Sequence, residues 1–277
     1  MNTRKGYRNH SPAQTIGMIL AAAVCVSNPA AVARSQTATA PVRFATISLG
    51  RGRALHLVVV NPAGGRVEIT SAGADDRYSF PDSFDSMVRR SNATAAINGC
   101  FFDMNTGRLV GHIWHDGEQR VHGAFSAAFA VRRDNTAVIA PLAELGDPRQ
   151  FRVVIACVDI LIRNGEIRVK SKADLVRNGH NPSPRNDIYR PARWSAVGLD
   201  RSGQVYFVAS EGAMTIYEFT RQVRAQTAIT DLLGLDGGTS SGLYYNGSFV
   251  TAPGRRVTSL IVVRPAAATP SSVASRR

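Results

Sequence analysis

Short apolar runs, separated by turn residues, recur along most of the chain. The runs at 54–60 and 66–70 end at Asn61-Pro62 and near Gly73, which predicts a pair of strands. The same criterion predicts further strands in the apolar runs at 94–99, 109–114, 124–131, 136–140, 153–162, 195–199 and 204–210. A chain with so many short strands is expected to have a sheet-dominated core.

Helical spacing is confined to a few segments. After Asp82, apolar residues recur at helical spacing, which predicts a helix near 83–91. A capping box at 215–218 begins a second predicted helix, 216–226, which leads into an apolar strand. The polar, proline-containing segment 171–192 is predicted to be a long loop over the functional site.

These elements predict an α+β fold with a mixed, curved β-sheet core and a few packing helices. No internal repeat or domain linker is recognisable, so residues 43–264 are expected to form a single domain. Residues 34–42 are predicted to be a flexible lead-in and residues 265–277 a disordered tail, because both are rich in small and polar residues.

Residues 1–33 have the character of a secretory signal peptide. Basic residues precede an apolar run at 16–26, and a small-x-small pattern ends at Ala33. The run is short for a membrane span, and an uncleaved anchor is the alternative. We therefore expect cleavage near Ala33, no stable membrane span afterwards, and a periplasmic or secreted location.

The charge balance is strongly basic. The chain has 33 Lys and Arg against 20 Asp and Glu, a net charge of +13. Removal of residues 1–33 takes away three basic and no acidic residues, which leaves 30 against 20, or +10. In an exported protein this excess favours a polyanionic partner such as a phosphate-bearing glycan, with simple solubility as the alternative. No nucleic-acid-binding module is recognisable, so we predict no nucleic-acid partner.

Two cysteines, Cys100 and Cys157, lie beyond the predicted signal peptide. An oxidising compartment would allow a single disulfide between them. Two cysteines cannot complete a four-ligand zinc site, and the sequence contains neither a CxxC nor an HExxH pattern. We predict no metal and no other cofactor.

The stretch LLGLDGGTSSGLYYNG, at 232–247, places a carboxylate, two glycines and three hydroxyl residues after an apolar run. Residues 238–242 match the G-x-S-x-G nucleophile elbow, which needs a following helix and a downstream acid and histidine. The residues that follow instead predict a hairpin around Asn246-Gly247. No Asp, Glu or His occurs after Ser241, so the order of residues excludes this kind of serine hydrolase.

Four motifs occur in the order found in phosphodiester glycosidases, and the chain resembles that family over about residues 54–263. They are AINGCFFD, LVGHIWHDGE, ARWSAVGLDRSGQVYFVASEGAMTIYEF and LLGLDGGTSSGLYYNG, at 96–103, 109–118, 192–219 and 232–247. The Asn-Gly-x-Phe-Phe and Leu-Asp-Gly-Gly-x-Ser turns are the most specific parts. The resemblance implies a hydrolase that cleaves a sugar from a sugar-1-phosphodiester.

The sequence departs from the family pattern at two places that line the family's cleft. Cys100 replaces the second glycine after Asn98, and residues 156–159, Ala-Cys-Val-Asp, replace a Gln-x-Gly-Pro motif. Both departures introduce a cysteine. The resemblance thus suggests that they are one linked change, a Cys100–Cys157 disulfide between two cleft strands, and that the substrate differs from that of better-known members.

Two carboxylates are the candidate catalytic groups. Hydrolysis of a glycosyl phosphodiester passes through an oxocarbenium-like state, beside which glycosidases place carboxylates. Asp236, at the end of an apolar strand, is the first candidate, and an Asx-type turn is its alternative role. Glu211, after the strand at 204–210, is the second, and an exposed loop acid is its alternative role. Which of the two would be base or nucleophile stays open.

The residues after Asp236 are candidates for binding the phosphate. Gly237 and Gly238 permit close approach of main-chain N–H groups, although an ordinary glycine turn is the alternative. Arg193 would supply a guanidinium fork, unless it is a surface arginine. Hydroxyl donors would come from Thr239, Ser240 and Ser241.

A second group of candidates surrounds the other specific turn. Asn98 and Gly99 could offer an amide to a sugar hydroxyl or to the phosphate site. Phe101 and Phe102 have two alternative roles, core packing or a sugar platform, of which core packing is more frequent. His112 is a further candidate substrate contact, without implying a metal.

The sequence therefore predicts an exported hydrolase that removes a sugar from a sugar-1-phosphodiester in an envelope or extracellular glycan. The alternative is a non-catalytic protein that binds phosphoglycan during export or assembly of an exopolysaccharide.

Overall fold

A computed structural model describes residues 40–63, 66–180 and 187–266, and all structural statements below concern these residues. They form seventeen strands: β1 Val42–Gly50, β2 Arg53–Val60, β3 Val67–Gly73, β4 Ala95–Asn98, β5 Ile113–His115, β6 Glu118–Val121, β7 Ala127–Arg132, β8 Ala137–Pro141, β9 Phe151–Cys157, β10 Ile160–Arg163, β11 Glu166–Ile167, β12 Ser195–Asp200, β13 Val205–Glu211, β14 Ile229–Gly234, β15 Leu243–Tyr245, β16 Ser248–Thr251 and β17 Ser259–Pro265.

Three α-helices lie between these strands: α1 Phe84–Arg90, α2 Lys172–Arg177 and α3 Ile216–Gln226. Short 3-10 helices occupy Leu142–Glu144, Pro148–Gln150, Asp187–Tyr189 and Gly238–Ser240. The predicted signal peptide at 1–33 and most of the predicted lead-in and tail lie outside the described residues.

The strands form three sheets. The largest has the order β1-β2-β13-β12-β14-β10-β11, and the two others have the orders β16-β15-β4-β17-β3 and β6-β5-β9-β7-β8. Strands β12 and β13 are buried along nearly their whole length, which is why their sequences are continuous apolar runs rather than alternating ones. The sheets thus share a core that covers both faces of the central strands.

The helices are short and are fixed by their caps and by one apolar face each. The Ser83 hydroxyl caps α1 by accepting a hydrogen bond from Ser86 N–H at 3.2 Å. The Thr215 hydroxyl caps α3 in the same way from Glu218 N–H at 3.2 Å. The Glu218 carboxylate, however, accepts a hydrogen bond from Arg53 at 2.6 Å, so one half of the predicted capping box ties α3 to β2.

The α+β class and the single domain are confirmed, with some differences in detail. The strand ladders between the described elements are antiparallel throughout, whereas a mixed sheet was expected. The apolar run at 153–162 is divided at Val158-Asp159 into β9 and β10, and the segment 171–192 contains α2 as well as loop. Four strands, β1, β6, β11 and β17, have no counterpart in the prediction.

The ends of the domain also differ slightly from the predicted boundaries. Val42, assigned to the lead-in, is the first residue of β1, and Pro265, assigned to the tail, is the last residue of β17. None of the helices in the described ranges has the length and apolar composition needed to cross a bilayer.

Candidate active site

The turn after β14 places Asp236 in a cavity. Leu235 N–H donates to the carbonyl oxygen of Ser195 at 2.9 Å, so the apolar strand stops where its neighbour β12 begins. Asp236 is 8% exposed and lines a cavity of about 450 Å³. Among the described residues, the remaining lining is formed by Phe101, Phe102, Met104, Ile188, Trp194, Gly237, Gly238, Thr239 and Arg255.

Asn98 is buried beside this turn and holds its main chain. Its side-chain NH₂ donates to the carbonyl oxygen of Asp236 at 2.7 Å, and its side-chain oxygen accepts from Gly242 N–H at 3.0 Å. Both ends of the amide are thus engaged with the main chain on either side of the turn. Asn98 is near Asp236, as expected, but does not line the cavity.

Gly99 connects the same turn to β17. Its N–H donates to the carbonyl oxygen of Ser259 at 2.7 Å, and its own carbonyl oxygen accepts from Asp236 N–H at 3.0 Å. A Cβ atom at Gly99 would lie 2.2 Å from Ser259 Oγ, so only glycine permits this approach. Gly99 also does not line the cavity, so the structure places it as a support for Asp236.

The two glycines after Asp236 serve different purposes. A Cβ atom at Gly237 would lie 2.8 Å from the Trp194 ring, so the absent side chain allows the turn to pack on that ring. Gly238 has a φ of +64°, which favours glycine, and its N–H donates to the carbonyl oxygen of Arg193 at 2.8 Å. Within the described residues, Gly237 N–H and Thr239 N–H have no acceptor, so these two main-chain donors are available to an anion.

The hydroxyl residues are divided between cavity and core. Thr239 is exposed and lines the cavity, whereas Ser240 and Ser241 are 1% and 0% exposed and do not. The 3-10 helix Gly238–Ser240 turns successive side chains to different sides, so the three hydroxyls do not form one row. The predicted cradle is thereby reduced to Thr239 and the main chain.

Arg193 lies next to the turn but directs its donors elsewhere. Its guanidinium Nη1 donates to the carbonyl oxygen of Ala252 at 3.1 Å, and its main-chain oxygen accepts from Gly238. It is absent from the described cavity lining. In this structure Arg193 fixes the positions of two loops that border the cavity.

Glu211 is not brought to the cavity. Its side chain is 62% exposed and lies 3.1 Å from the His56 Nε2 atom, on the side of the sheet where β13 pairs with β2. Among the described residues, Asp236 is the one carboxylate in the cavity lining. The two candidate catalytic acids are therefore separated.

His112 also lies outside the described lining of this cavity. Its ring stacks on Trp114 with a centroid distance of 5.3 Å and contacts His122 edge-on at 4.9 Å. Burial, together with the nearby charge of His122, lowers the pKa of His112. His112 thus belongs to an aromatic cluster with Trp114 and His122 rather than to the Asp236 cavity.

The cavity has an apolar wall. Phe101 and Phe102 are half-buried and line it, which favours the platform role over pure core packing. Trp194 is 4% exposed, and its indole N–H donates to the carbonyl oxygen of Met214 at 2.7 Å, which fixes the ring under Gly237. Aromatic faces beside a carboxylate are typical of sugar-binding sites.

Four lining residues were not among the sequence candidates: Met104, Ile188, Trp194 and Arg255. Trp194 immediately follows Arg193 within a quoted motif, and its rarity in the chain was the available signal. Arg255 contributes to the basic excess of the chain and belongs to none of the quoted motifs. Its approach to the cavity depends on the path of the loop between β16 and β17, which the sequence pattern does not fix.

The expected disulfide is absent from this structure. Cys100 and Cys157 are both buried free thiols, in hydrogen-bonding contact with each other. Burial raises the pKa of the Cys100 thiol well above its ordinary value, and the Cys157 thiol and the Asp236 charge act in the same direction. The cysteines are adjacent, as a bridge would require, but no S–S bond joins them.

A mostly buried contact between a histidine and an aspartate lies behind the apolar wall. The Asp159 carboxylate lies 2.8 Å from His180 Nε2, and both side chains are almost fully buried. His180 packs near Phe125, which in turn contacts Phe101 edge-on at 6.2 Å. Within the described part of the chain, no group of three or more His, Cys, Asp or Glu side chains could hold a metal ion.

Sequence comparison places these features in a known family. A profile of the family described as phosphodiester glycosidase matches residues 91–264, which include the Asn98 turn, the Asp236 turn and β17. N-acetylglucosamine-1-phosphodiester alpha-N-acetylglucosaminidase from Bos taurus is 29% identical over 178 residues, covering 60% of this chain and 34% of that protein. The Homo sapiens enzyme of the same name is 28% identical over 179 residues, with coverage of 60% and 34%. The chain thus spans about a third of the length of these relatives.

Solved structures show the same fold. The zebrafish N-acetylglucosamine-1-phosphodiester alpha-N-acetylglucosaminidase catalytic domain, auto-inhibited by its pro-peptide, superposes with a TM-score of 0.66 at 20% identity. The match covers 83% of this chain and 85% of that chain. A hypothetical protein from Synechocystis gives a TM-score of 0.64 at 16% identity, covering 80% and 61%.

Proposed function

Because the chain belongs to the phosphodiester glycosidase family, we propose that it is a hydrolase that releases a sugar from a sugar-1-phosphodiester. The observation that carries this proposal is the position of Asp236. Its carboxylate is nearly buried, in a cavity that also offers aromatic faces and unengaged main-chain N–H groups. The aromatic faces suit the sugar ring, the carboxylate suits the positive charge that develops on the sugar, and the main-chain N–H groups suit the phosphate.

Asp236 is proposed to act on the sugar carbon. A carboxylate beside C1 stabilises the oxocarbenium-like state, or attacks it as nucleophile, or activates water as base. A phosphate ester leaves readily, so cleavage needs less help from a strong acid than cleavage of an alkyl glycoside does. One carboxylate at the sugar and donors at the phosphate would then suffice.

The main-chain donors are proposed to receive the phosphate. Gly237 N–H and Thr239 N–H are unengaged within the described residues, and the Thr239 hydroxyl is exposed beside them. Donors that are already oriented stabilise developing negative charge on the leaving group without reorganisation. Trp194, Phe101 and Phe102 would then pack against the sugar.

We further propose that the protein is exported and acts on a phosphate-bearing glycan of the envelope or the extracellular space. The sequence features of residues 1–33 and the net charge of +10 beyond them support this location and this polyanionic substrate. Export is testable by N-terminal sequencing of the protein from periplasm or medium, where a start near Arg34 is expected.

Turnover of defined substrates tests the activity. Sugar-1-(p-nitrophenyl phosphate) diesters of several sugars, beginning with N-acetylglucosamine, would be assayed for release of free sugar. Asp236→Asn is expected to lower kcat by about 100- to 10,000-fold, the usual contribution of a positioned acid–base group. The matched control is Asp76→Asn, the same chemical change at an exposed aspartate outside the cavity lining.

One observation favours the non-catalytic alternative. Glycosidases commonly use two carboxylates, and Asp236 is the sole carboxylate of the cavity lining within the described residues. A binding protein of this fold would bind the same diesters tightly and release no sugar. Equilibrium binding measured beside turnover therefore separates the two functions, and release that survives Asp236→Asn would contradict the assigned role of this residue.

A further inference from the structure

We infer that Arg255 binds the substrate phosphate at the opening of the Asp236 cavity, an inference that rests on the function proposed above. The sequence candidate for this task was Arg193, whose guanidinium is engaged by the carbonyl oxygen of Ala252. Arg255 lines the cavity together with Asp236 and the glycine turn, and Arg193 does not line it.

Arg255 is exposed, and among the described residues no carboxylate pairs with its guanidinium. Its hydrogen-bond partner is the Met104 sulfur, at 2.7 Å from Nη1. A thioether is a weak acceptor, so a phosphate oxygen would replace it at little cost.

The loop that carries Arg255 is fixed on both sides of the residue. Gly254 N–H donates to the carbonyl oxygen of Thr239 at 2.7 Å, which ties the loop to the turn that follows Asp236. Val257 forms two hydrogen bonds with Asp82, at 2.9 and 3.0 Å. The base of the Arg255 side chain is therefore held beside Thr239, while its end can move between Met104 and a ligand.

This arrangement assigns an orientation to the substrate. Gly237 N–H, Thr239 N–H and Arg255 would surround the phosphate at the opening, with the sugar inward against the aromatic wall and Asp236. A guanidinium at the opening also offsets the repulsion between the Asp236 carboxylate and an approaching phosphodiester. The group attached beyond the phosphate would point to solvent, so the preferred substrate is a terminal sugar on a larger phosphate-bearing molecule.

A pair of substrates with the same sugar tests the inference. One is the sugar-1-(p-nitrophenyl phosphate) diester, and the other is the p-nitrophenyl glycoside, which lacks the phosphate. Arg255→Gln is expected to lower kcat/KM for the diester by about 10- to 100-fold, as for loss of a hydrogen bond to a charged group, with less than about a threefold change for the glycoside.

Arg256→Gln is the matched control, because Arg256 is the next residue, is also exposed and does not line the cavity. The Arg256→Gln variant is expected to change kcat/KM by less than about threefold for either substrate, since the loss of an exposed charge has a small effect. Arg255→Lys keeps the charge and loses the planar fork, so an intermediate loss for the diester is expected. An equal loss for both substrates, or no loss for the diester, overturns the inference.

The inference and the proposed activity can fail separately. If the wild-type protein hydrolyses neither substrate, the activity is absent, and binding of inorganic phosphate decides the role of Arg255. The fluorescence of Trp194, which lines the cavity, reports that binding, and Trp114→Phe removes the other tryptophan signal. A tenfold weaker phosphate affinity in Arg255→Gln supports the inference, and an unchanged affinity overturns it.

Discussion

The side-chain amide of Asn98 donates a hydrogen bond of 2.7 Å to the main-chain oxygen of Asp236, 138 residues further along the chain. The contact joins the two most specific motifs of the sequence. It fixes the main chain from which the Asp236 carboxylate projects, and the Gly99 carbonyl oxygen receives the Asp236 N–H from the other side. Contacts of the main chain on both sides therefore help to set the position of the acid.

Replacement of Asn98 should destabilise the fold. Asn98→Ala would leave the Asp236 oxygen and the Gly242 N–H without their buried partners. The expected loss in free energy of unfolding is about 2 to 6 kcal/mol, since each of the two unsatisfied buried groups costs about 1–3 kcal/mol. Urea denaturation measures it, with the exposed Asn105→Ala as the control. A loss for Asn98→Ala as small as that of the control would mean that the two hydrogen bonds do not hold the turn.

Glu211 should be dispensable for turnover. The Glu211 carboxylate is largely exposed, lies near His56 and is outside the cavity lining. Glu211→Gln is expected to reduce kcat/KM by less than about threefold and stability by less than about 1 kcal/mol, as for a surface ion pair. Steady-state kinetics on the phosphodiester, beside Asp236→Asn, measures this. A loss comparable to that of Asp236→Asn would return Glu211 to the list of catalytic acids.

The thiols should resist modification in the native protein. Cys100 and Cys157 are buried, and the raised pKa of Cys100 keeps it protonated and unreactive near neutral pH. We expect no labelling by iodoacetamide at either residue in the folded protein, and labelling of both after denaturation without reductant. Peptide mass mapping measures the two sites. If labelling of the denatured protein required reduction, the pair would be a disulfide.

Protonation of His115 should lower the stability of the folded protein as the pH falls. Burial lowers the pKa of His115 from its ordinary value of 6.5, although the nearby Asp116 acts in the opposite direction. The unfolded chain then binds the proton more readily than the folded one. The contribution of His115 is thus fully present above about pH 6.5 and is lost as pH falls through the lower pKa of the folded protein.

The matched comparison is urea unfolding of the wild type and His115→Gln between pH 7 and pH 5. We expect the wild type to lose more stability over this interval than the variant does. His112, whose pKa is also lowered by burial, titrates in both proteins and so cancels in the difference. Parallel pH profiles would show that His115 is not responsible.

Local pattern was sufficient to predict most of the elements. The helices α1 and α3 and the hairpin of β15 and β16 follow from apolar spacing, caps and the Asn246-Gly247 turn, whose φ values are 45° and 93°. These features depend on contacts between near neighbours in sequence. β1 was missed because its burial alternates only weakly, and Val42 is its one buried residue.

The cavity was predicted less completely, for a physical reason. Quoted motifs were sufficient to propose Asp236, the glycine turn and the two phenylalanines. A motif contains only residues that are close together in sequence. Arg255 and Met104 meet across 151 residues, and neither belongs to a quoted motif. Ser240 and Ser241 were misplaced because a single 3-10 turn decides which hydroxyls face the core. Such details require the path of the chain.

The last strand has a consequence for how the protein is made. β17 lies between β4 and β3 in the second sheet, and its Ser259 accepts the Gly99 N–H beneath the Asp236 turn. Neither β3 nor β4 can complete its pairing until residues 259–265 have been synthesised. A nascent chain that lacks residues 259–265 therefore cannot assemble the pocket, and termination before β17 would abolish it. In the cell, the pocket would form only after residues 259–265 have left the ribosome.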